Sequence, residues 1–198
     1  MRNPLPKIGI LGSGNGSNFS AIARAIGESR LSAEIVLVIS DNPVAGILQK
    51  ARALNLPALA LPTSKFRTKL EAEIEQYAVD KLLEAGAEWI VLAGYMRLIK
   101  APLLKQFESR ILNIHPSLLP SFPGLEAWKQ ALEAKVPRTG CTVHWVDAGM
   151  DTGTIIAQSE VPVLEDDTAA SLHARIQVAE HSLYPAVLQR ILHPQQDS

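Results

Sequence analysis

Asn113 and His115 stand two residues apart in "RILNIHPSLLP", at the end of an apolar run that otherwise reads as a core strand. On a strand, residues i and i+2 point to the same side. The two polar side chains therefore converge on one point, and Pro116 fixes the backbone just beyond them. The asparagine amide is an N–H donor, and the histidine gives or takes a proton near neutral pH. Together they suit a carbonyl oxygen that turns into an oxyanion: two donors, one of them able to supply a proton. The same pair also fits a buried histidine bonded to backbone, with the asparagine in a turn. Asp151 weighs against that. It lies in "GMDTG", between Gly149 and Gly153, in a turn between two strands. An acid there commonly closes on its own backbone. If the turn reaches the end of the Asn113 strand, the carboxylate orients His115 and balances the charge of its imidazolium, giving three polar groups with defined roles.

A second constellation is "GSGNGSN", Gly12 to Asn18, between a strand and a helix. Its glycines allow close approach of backbone to a ligand, and the helix start offers unpaired N–H groups and a positive dipole end for an anion. The dinucleotide fingerprint fails, because the sixth position is Ser17 or Phe19 rather than glycine. No Gly-Lys-Ser/Thr follows either, so the P-loop pattern fails too. A compact phosphomonoester fits better, beside the plainer reading of a tight turn with Ser17 or Asn18 as N-cap. Asp41, at the end of the second strand, could hold a ribose hydroxyl; the turn and cap before Pro43 is the preferred reading. His144, among apolar neighbours on a strand, either lines the same pocket or is a satisfied core residue, with the pocket preferred. His173 and His181 are read as surface or packing residues. No HxH, HExxH or CxxC spacing occurs, which leaves a metal site little support.

These residues need a scaffold. "KIGILGS", "AEIVLVIS", "PALALP", "AEWIVLAG" and "SRILNIH" are short apolar runs of strand length. Between them lie helical patterns: "NFSAIARAIGE", "DNPVAGILQKARALN" with Asn42-Pro43 as N-cap and N1, "KFRTKLEAEIEQYAVDKLLEAG", and the short "APLLKQF". Strands fully apolar and alternating with helices predict an α/β, Rossmann-like, mostly parallel sheet with helices on both faces. After Gly124 the pattern changes. "LEAWKQALEA" reads as a helix, "RTGCTVHWVD" and "GTIIAQSEVPV" as an antiparallel pair, and "TAASLHARIQVAEHSLYPAVLQRIL" as a closing helix kinked or restarted at Pro185. In such sheets ligands bind beyond the C-terminal strand ends, at a switch in strand order. "GSGNGSN", "GYMRLI", "NIHPSLLP" and "AGMDTG" are expected to meet there.

The chain of 198 residues, 47% hydrophobic, fits one domain over 1–198, with a polar tail over 193–198 expected to fray. Net charge is −1 with 20% charged residues, so no basic field points to nucleic acid and no acidic excess points to disorder. The single cysteine, Cys141, rules out a disulfide within the chain and makes the cytoplasm the default location. No stretch is long enough for a signal h-region or a membrane span.

"GSGNGSN", "VLAGYMRLI", "LNIHPSLLPSFPG", "GCTVHWV", "GMDTGTIIAQ" and "VAEHSLYP", in this order and spacing, resemble the phosphoribosylglycinamide formyltransferases, the folate-dependent transformylases of purine biosynthesis. The resemblance runs from about Lys7 to Leu192. It implies a formyltransferase-like fold, with a phosphate-binding half over about 1–100 and a folate and catalytic half over about 101–192. It implies that the amine of glycinamide ribonucleotide attacks the formyl carbon of the cosubstrate 10-formyltetrahydrofolate, without a metal. By position, Asn113, His115 and Asp151 match the catalytic trio, and Gly16, Ser17 and Asn18 the phosphate-binding residues. Glu180 matches an acidic residue that holds the nucleotide. Met96, Arg97, Leu98 and Ile99 match a segment that holds the pterin largely through backbone, with Asn113 beside it. Lys69 falls near a basic position beside the folate. The expected partners are these two small molecules, with no nucleic acid or membrane, in a monomer or homodimer. Formyltetrahydrofolate deformylases and methionyl-tRNA formyltransferases share the Asn-x-His-Pro block, but the former add an N-terminal regulatory domain and the latter a C-terminal RNA-binding one. A non-catalytic nucleotide-binding module is the alternative from another class.

Overall fold

A computed structural model describes residues 4–194. Its seven strands form one sheet in the order β3-β2-β1-β4-β5-β6-β7. The first five are β1 (Lys7–Leu11), β2 (Glu34–Ser40), β3 (Ala58–Ala60), β4 (Trp89–Leu92) and β5 (Ile111–His115). All of their pairings are parallel. β6 (Arg138–Trp145) and β7 (Ile155–Pro162) continue the sheet antiparallel. The chain winds outward from β1 through β2 to β3, then crosses back to lay β4 on the other side of β1. The loops after β1 and β4 therefore diverge at a switch in strand order, where α/β sheets bind ligands.

Helices cover both faces. On one, α1 (Ser17–Gly27), α2 (Gly46–Ala53) and α6 (Ala169–Leu192) pack on Ile8, Ile10, Val38, Leu112 and Ile114. On the other, α3 (Ala72–Glu84) and α4 (Ala101–Gln106) pack on Leu37, Ile39, Ile90 and Ile111. α5 (Ala127–Glu133) lies beside α6. The alternation along β5 decides the site: Leu112 and Ile114 enter the first core, and Asn113 and His115 share the opposite face with Ile111.

Three helix boundaries differ from the sequence reading. α2 starts at Gly46 with Ala45 as N-cap. Asn42 instead accepts the N–H of Val44 at 3.2 Å, an Asx turn with Pro43 inside it. α3 starts at Ala72 rather than near Lys65. Leu98 N–H donates to Thr68 O at 2.8 Å and Lys69 bridges to Leu98, so this stretch is spent on extended pairing with the loop after β4. α6 neither stops nor restarts at Pro185. A proline inside a helix costs about 3 kcal/mol. Leu172, Ile176, Val187, Leu188 and Leu192 are all buried along α6, each contributing about 1.5–3 kcal/mol, which outweighs that cost. Thr168 caps this helix by accepting the N–H of Ser171 at 3.1 Å. Of the expected tail, His193 caps α6 and bonds Ser32 O at 2.6 Å; residues 195–198 lie outside the described part.

Candidate active site

β5 carries Asn113 and His115 to its end. His115 is 4% exposed, with Nε2 2.9 Å from Phe122 O and Nδ1 3.3 Å from Asp151 Oδ2. Both ring nitrogens thus face acceptors, an arrangement that the two N–H groups of an imidazolium satisfy. Asp151 arrives on the turn between β6 and β7. Its backbone is left-handed, with φ 56, a conformation that aspartate tolerates better than most residues. The turn is tight because Gly153 lacks a side chain: a Cβ there would meet Trp145 O at 1.8 Å. Asp151 Oδ2 also accepts the N–H of Gly124 at 2.9 Å, tying the turn to the loop after β5.

His144 lies opposite Asn113 in the β5–β6 register and is 2% exposed. Its Nε2 is 3.1 Å from Asn113 Nδ2 and its Nδ1 2.7 Å from Trp145 O. Asp151 Oδ1 stands 3.7 Å from Nε2. Burial pushes the His144 pKa down, against the opposing pull of the Trp145 carbonyl and Asp151. His144 is thus both buried and part of the wall that Asn113 and His115 share.

These four side chains line a cavity of about 460 Å³ between the loop after β4, the end of β5, the 124–128 segment and the β6–β7 turn. That volume is in the range of small-molecule sites. Met96, Arg97, Leu98 and Ile99 form its far wall. The Arg97 side chain turns away to the second strand: its Nε donates to Asp41 Oδ2 at 2.6 Å, and its Nη1 bonds Phe66 O. Asp41 is therefore not the cap of α2, whose N-cap is Ala45, but the partner of Arg97 through Oδ2, while its Oδ1 is buried with no partner. Thr68 borders the cavity, but Lys69 does not; the Lys69 ammonium sits 4.8 Å over the Phe66 ring.

The glycine loop lies next door rather than in the cavity wall. Met96 N–H donates to Ser13 Oγ at 2.9 Å, which joins the two. The N-cap of α1 is Gly16, with φ 75 and no side-chain cap, so neither Ser17 nor Asn18 caps the helix. A Cβ on Gly16 would meet Ile47 at 2.8 Å. The first-turn N–H groups of α1 remain for an acceptor from outside the helix. Ser17 is half-buried at the start of α1. Asn18, 7% exposed, donates from Nδ2 to Glu180 Oε2 at 2.8 Å, while its Oδ1 is buried with no partner. Glu180 comes from α6 and is 4% exposed; burial raises its pKa to about 7, although the Asn18 bond pulls the other way.

The family profile described as Formyl transferase matches residues 6–188. This chain belongs to the formyl transferase family. It is 43% identical over 188 residues to the phosphoribosylglycinamide formyltransferase of Bacillus subtilis strain 168, covering 95% of each. It is 43% identical over 186 residues to the trifunctional purine biosynthetic protein adenosine-3 of Drosophila melanogaster, of which it spans 14%. Its fold superposes on the crystal structure of glycinamide ribonucleotide transformylase 1 from Symbiobacterium toebii with a TM-score of 0.90 and 43% identity, covering 96% of this chain and 88% of that one. The sheet of parallel strands followed by an antiparallel pair is the formyl transferase architecture.

Several parts of this formyl transferase site escape sequence reading. The carbonyl of Phe122 on His115 is backbone and carries no residue signature. Tyr184, fully buried on α6, places its hydroxyl 3.0 Å from the carbonyls of both Leu92 and Leu112, pinning the helix to the end of β4 and to β5 one residue before Asn113. Trp128 stacks on His173 at 3.7 Å and lines the cavity, which ties α5 to α6. Its apolar spacing in "LEAWKQALEA" was the one available signal.

Proposed function

We propose that this chain transfers the formyl group of 10-formyltetrahydrofolate to the amine of glycinamide ribonucleotide, as a monomer or homodimer in the cytoplasm. The observation that carries the reading is the His115–Asp151 contact at 3.3 Å, beside Asn113 in an apolar cavity that adjoins a helix N-terminus. The folate lies in the cavity with its pterin against Met96–Ile99, and the nucleotide phosphate meets Gly16, Ser17 and Asn18, with Glu180 behind them.

The amine nitrogen attacks the formyl carbon. The carbon–nitrogen bond to the nucleotide forms, charge gathers on the formyl oxygen, and the bond to the folate nitrogen then breaks. The proton lost by the amine ends on that folate nitrogen, giving tetrahydrofolate. Asn113 Nδ2 and the imidazolium of His115 donate to the oxygen as charge develops; removing one such donor costs roughly 10²–10³ in rate. The Nε2–H of His115, which donates to Phe122 O at 2.9 Å, must then turn its hydrogen bond to the formyl oxygen. Hydrogen bonds of this kind often tighten only in the reactive complex. Asp151 balances the imidazolium and, through Gly124 N–H, holds the loop that carries Phe122. Mass spectrometry of the nucleotide product tests the reading: gain of one formyl group on glycinamide ribonucleotide supports it, and an unchanged nucleotide beside consumed folate refutes it.

A further inference from the structure

The contacts of His144 determine which way the Asn113 amide faces. A carbonyl oxygen only accepts, so the 2.7 Å contact from Nδ1 to Trp145 O puts the hydrogen of the neutral ring on Nδ1. Nε2 is then a bare lone pair. The amide end of Asn113 at 3.1 Å must be the NH₂ group, since two acceptors would repel. We propose that His144 is a positioning residue for formyl transfer: as the neutral Nδ1–H tautomer it receives one Nδ2 hydrogen of Asn113 and leaves the other for the formyl oxygen. The inference rests on the function proposed above.

A proton on Nε2 would reverse the arrangement. The ring would become a donor on both sides, and the amide would turn to offer Oδ1, withdrawing Nδ2 from the site. The added N–H would also draw Asp151 Oδ1, now 3.7 Å away, from its place beside His115. The groups that bear on His144 are Asn113 and His115 on β5, Trp145 O on its own strand, and Asp151 and Asp147 on the β6–β7 turn. Of these the two carboxylates and the carbonyl favour the extra proton, and His115 and burial oppose it, with burial the largest influence. Burial thus favours the neutral ring, and with it the amide orientation that the two contacts of His144 set.

The test has two arms. In nitrogen-15 spectra of the histidine rings of the intact protein near neutral pH, His144 is expected as the Nδ1–H tautomer; an Nε2–H tautomer overturns the inference and leaves the proposed reaction standing. In a double-mutant cycle, His144→Ala is expected to lower kcat by about 10-fold or more, up to the roughly 10²–10³ of losing the donor itself, with little change in either KM. In an Asn113→Ala background the same change is expected to cost almost nothing, because the amide it positions is gone. His144→Gln, whose side-chain oxygen can accept from Nδ2, is expected to recover part of the loss. Equal costs in both backgrounds overturn the positioning role. If His144→Ala does not fold, His144→Phe, which fills the space and accepts no hydrogen bond, completes the cycle. Absence of formyl transfer in the unmodified protein would refute the proposed function instead, whatever the tautomer.

Discussion

Asp151 Oδ2 stands 3.3 Å from His115 Nδ1 and accepts the N–H of Gly124 at 2.9 Å, so one carboxylate oxygen orients the histidine and anchors the loop that covers it. Asp151→Asn keeps the shape and removes the carboxylate charge beside His115 Nδ1. Turnover is expected to fall by about 10²–10⁴, the span of general acid–base assistance. The nucleotide KM should barely move, since the glycine loop proposed to hold the phosphate lies apart from the cavity. Steady-state kinetics with each substrate varied reads this directly, and unchanged turnover would remove Asp151 from the mechanism.

Asn18 reaches Glu180 at 2.8 Å across the start of α1. Asn18→Ala leaves the buried Glu180 carboxyl without its donor and opens the turn proposed to hold the phosphate. Its expected effect is a rise of about 10-fold or more in KM for the nucleotide, the equivalent of one charge-assisted hydrogen bond, with the folate KM unchanged. A change confined to the folate KM would mean that the glycine loop does not hold the phosphate.

Glu180 makes stability depend on pH. Its pKa rises from the ordinary 4.5 to about 7 on burial. A raised carboxyl pKa means that the folded state binds the proton more tightly than the unfolded state. The resulting stabilisation is full below about 4.5 and is lost as pH climbs through 7. Glu180→Gln has no such proton to lose. Urea unfolding of the free protein at pH 5 and pH 8 should show the Gln variant gaining on the parent by up to roughly 3 kcal/mol at the higher pH. A difference independent of pH would contradict the burial of a titrating carboxyl there.

Asp41 holds Arg97 at 2.6 Å, and Arg97 also bonds Phe66 O, so this pair ties the 64–71 strap to the wall of the cavity. Asp41→Asn is expected to raise the folate KM by about threefold to tenfold, a fraction of the worth of a hydrogen bond to a charged group, and to leave the nucleotide KM alone. Equal effects on both substrates would mark the pair as a general stabiliser.

The parallel strands were legible because each is a continuous apolar run between helical patterns, and only a sheet buried on both faces calls for that. Asn113 and His115 stood out as polar residues interrupting one such run, and Asp151 as an acid between two glycines. What stayed hidden depended on partners distant in sequence. Asp41 looked like a cap because a proline follows it closely; its bond to Arg97 spans 56 positions and joins two residue types common on any surface. The helical pattern of α3 extends backward through "KFRTKLEA", yet pairing with Leu98 claims that stretch for extended backbone. Pro185 suggested a break because propensity is local, whereas the buried face of α6 that overrides it is tertiary. The tautomer of His144 could not be read at all without the carbonyl of Trp145.

Consumption of 10-formyltetrahydrofolate, followed with and without glycinamide ribonucleotide, tests formyl transfer most directly. Turnover that requires the nucleotide is the expected result. Turnover at the same rate in its absence would make water the acceptor and contradict the account.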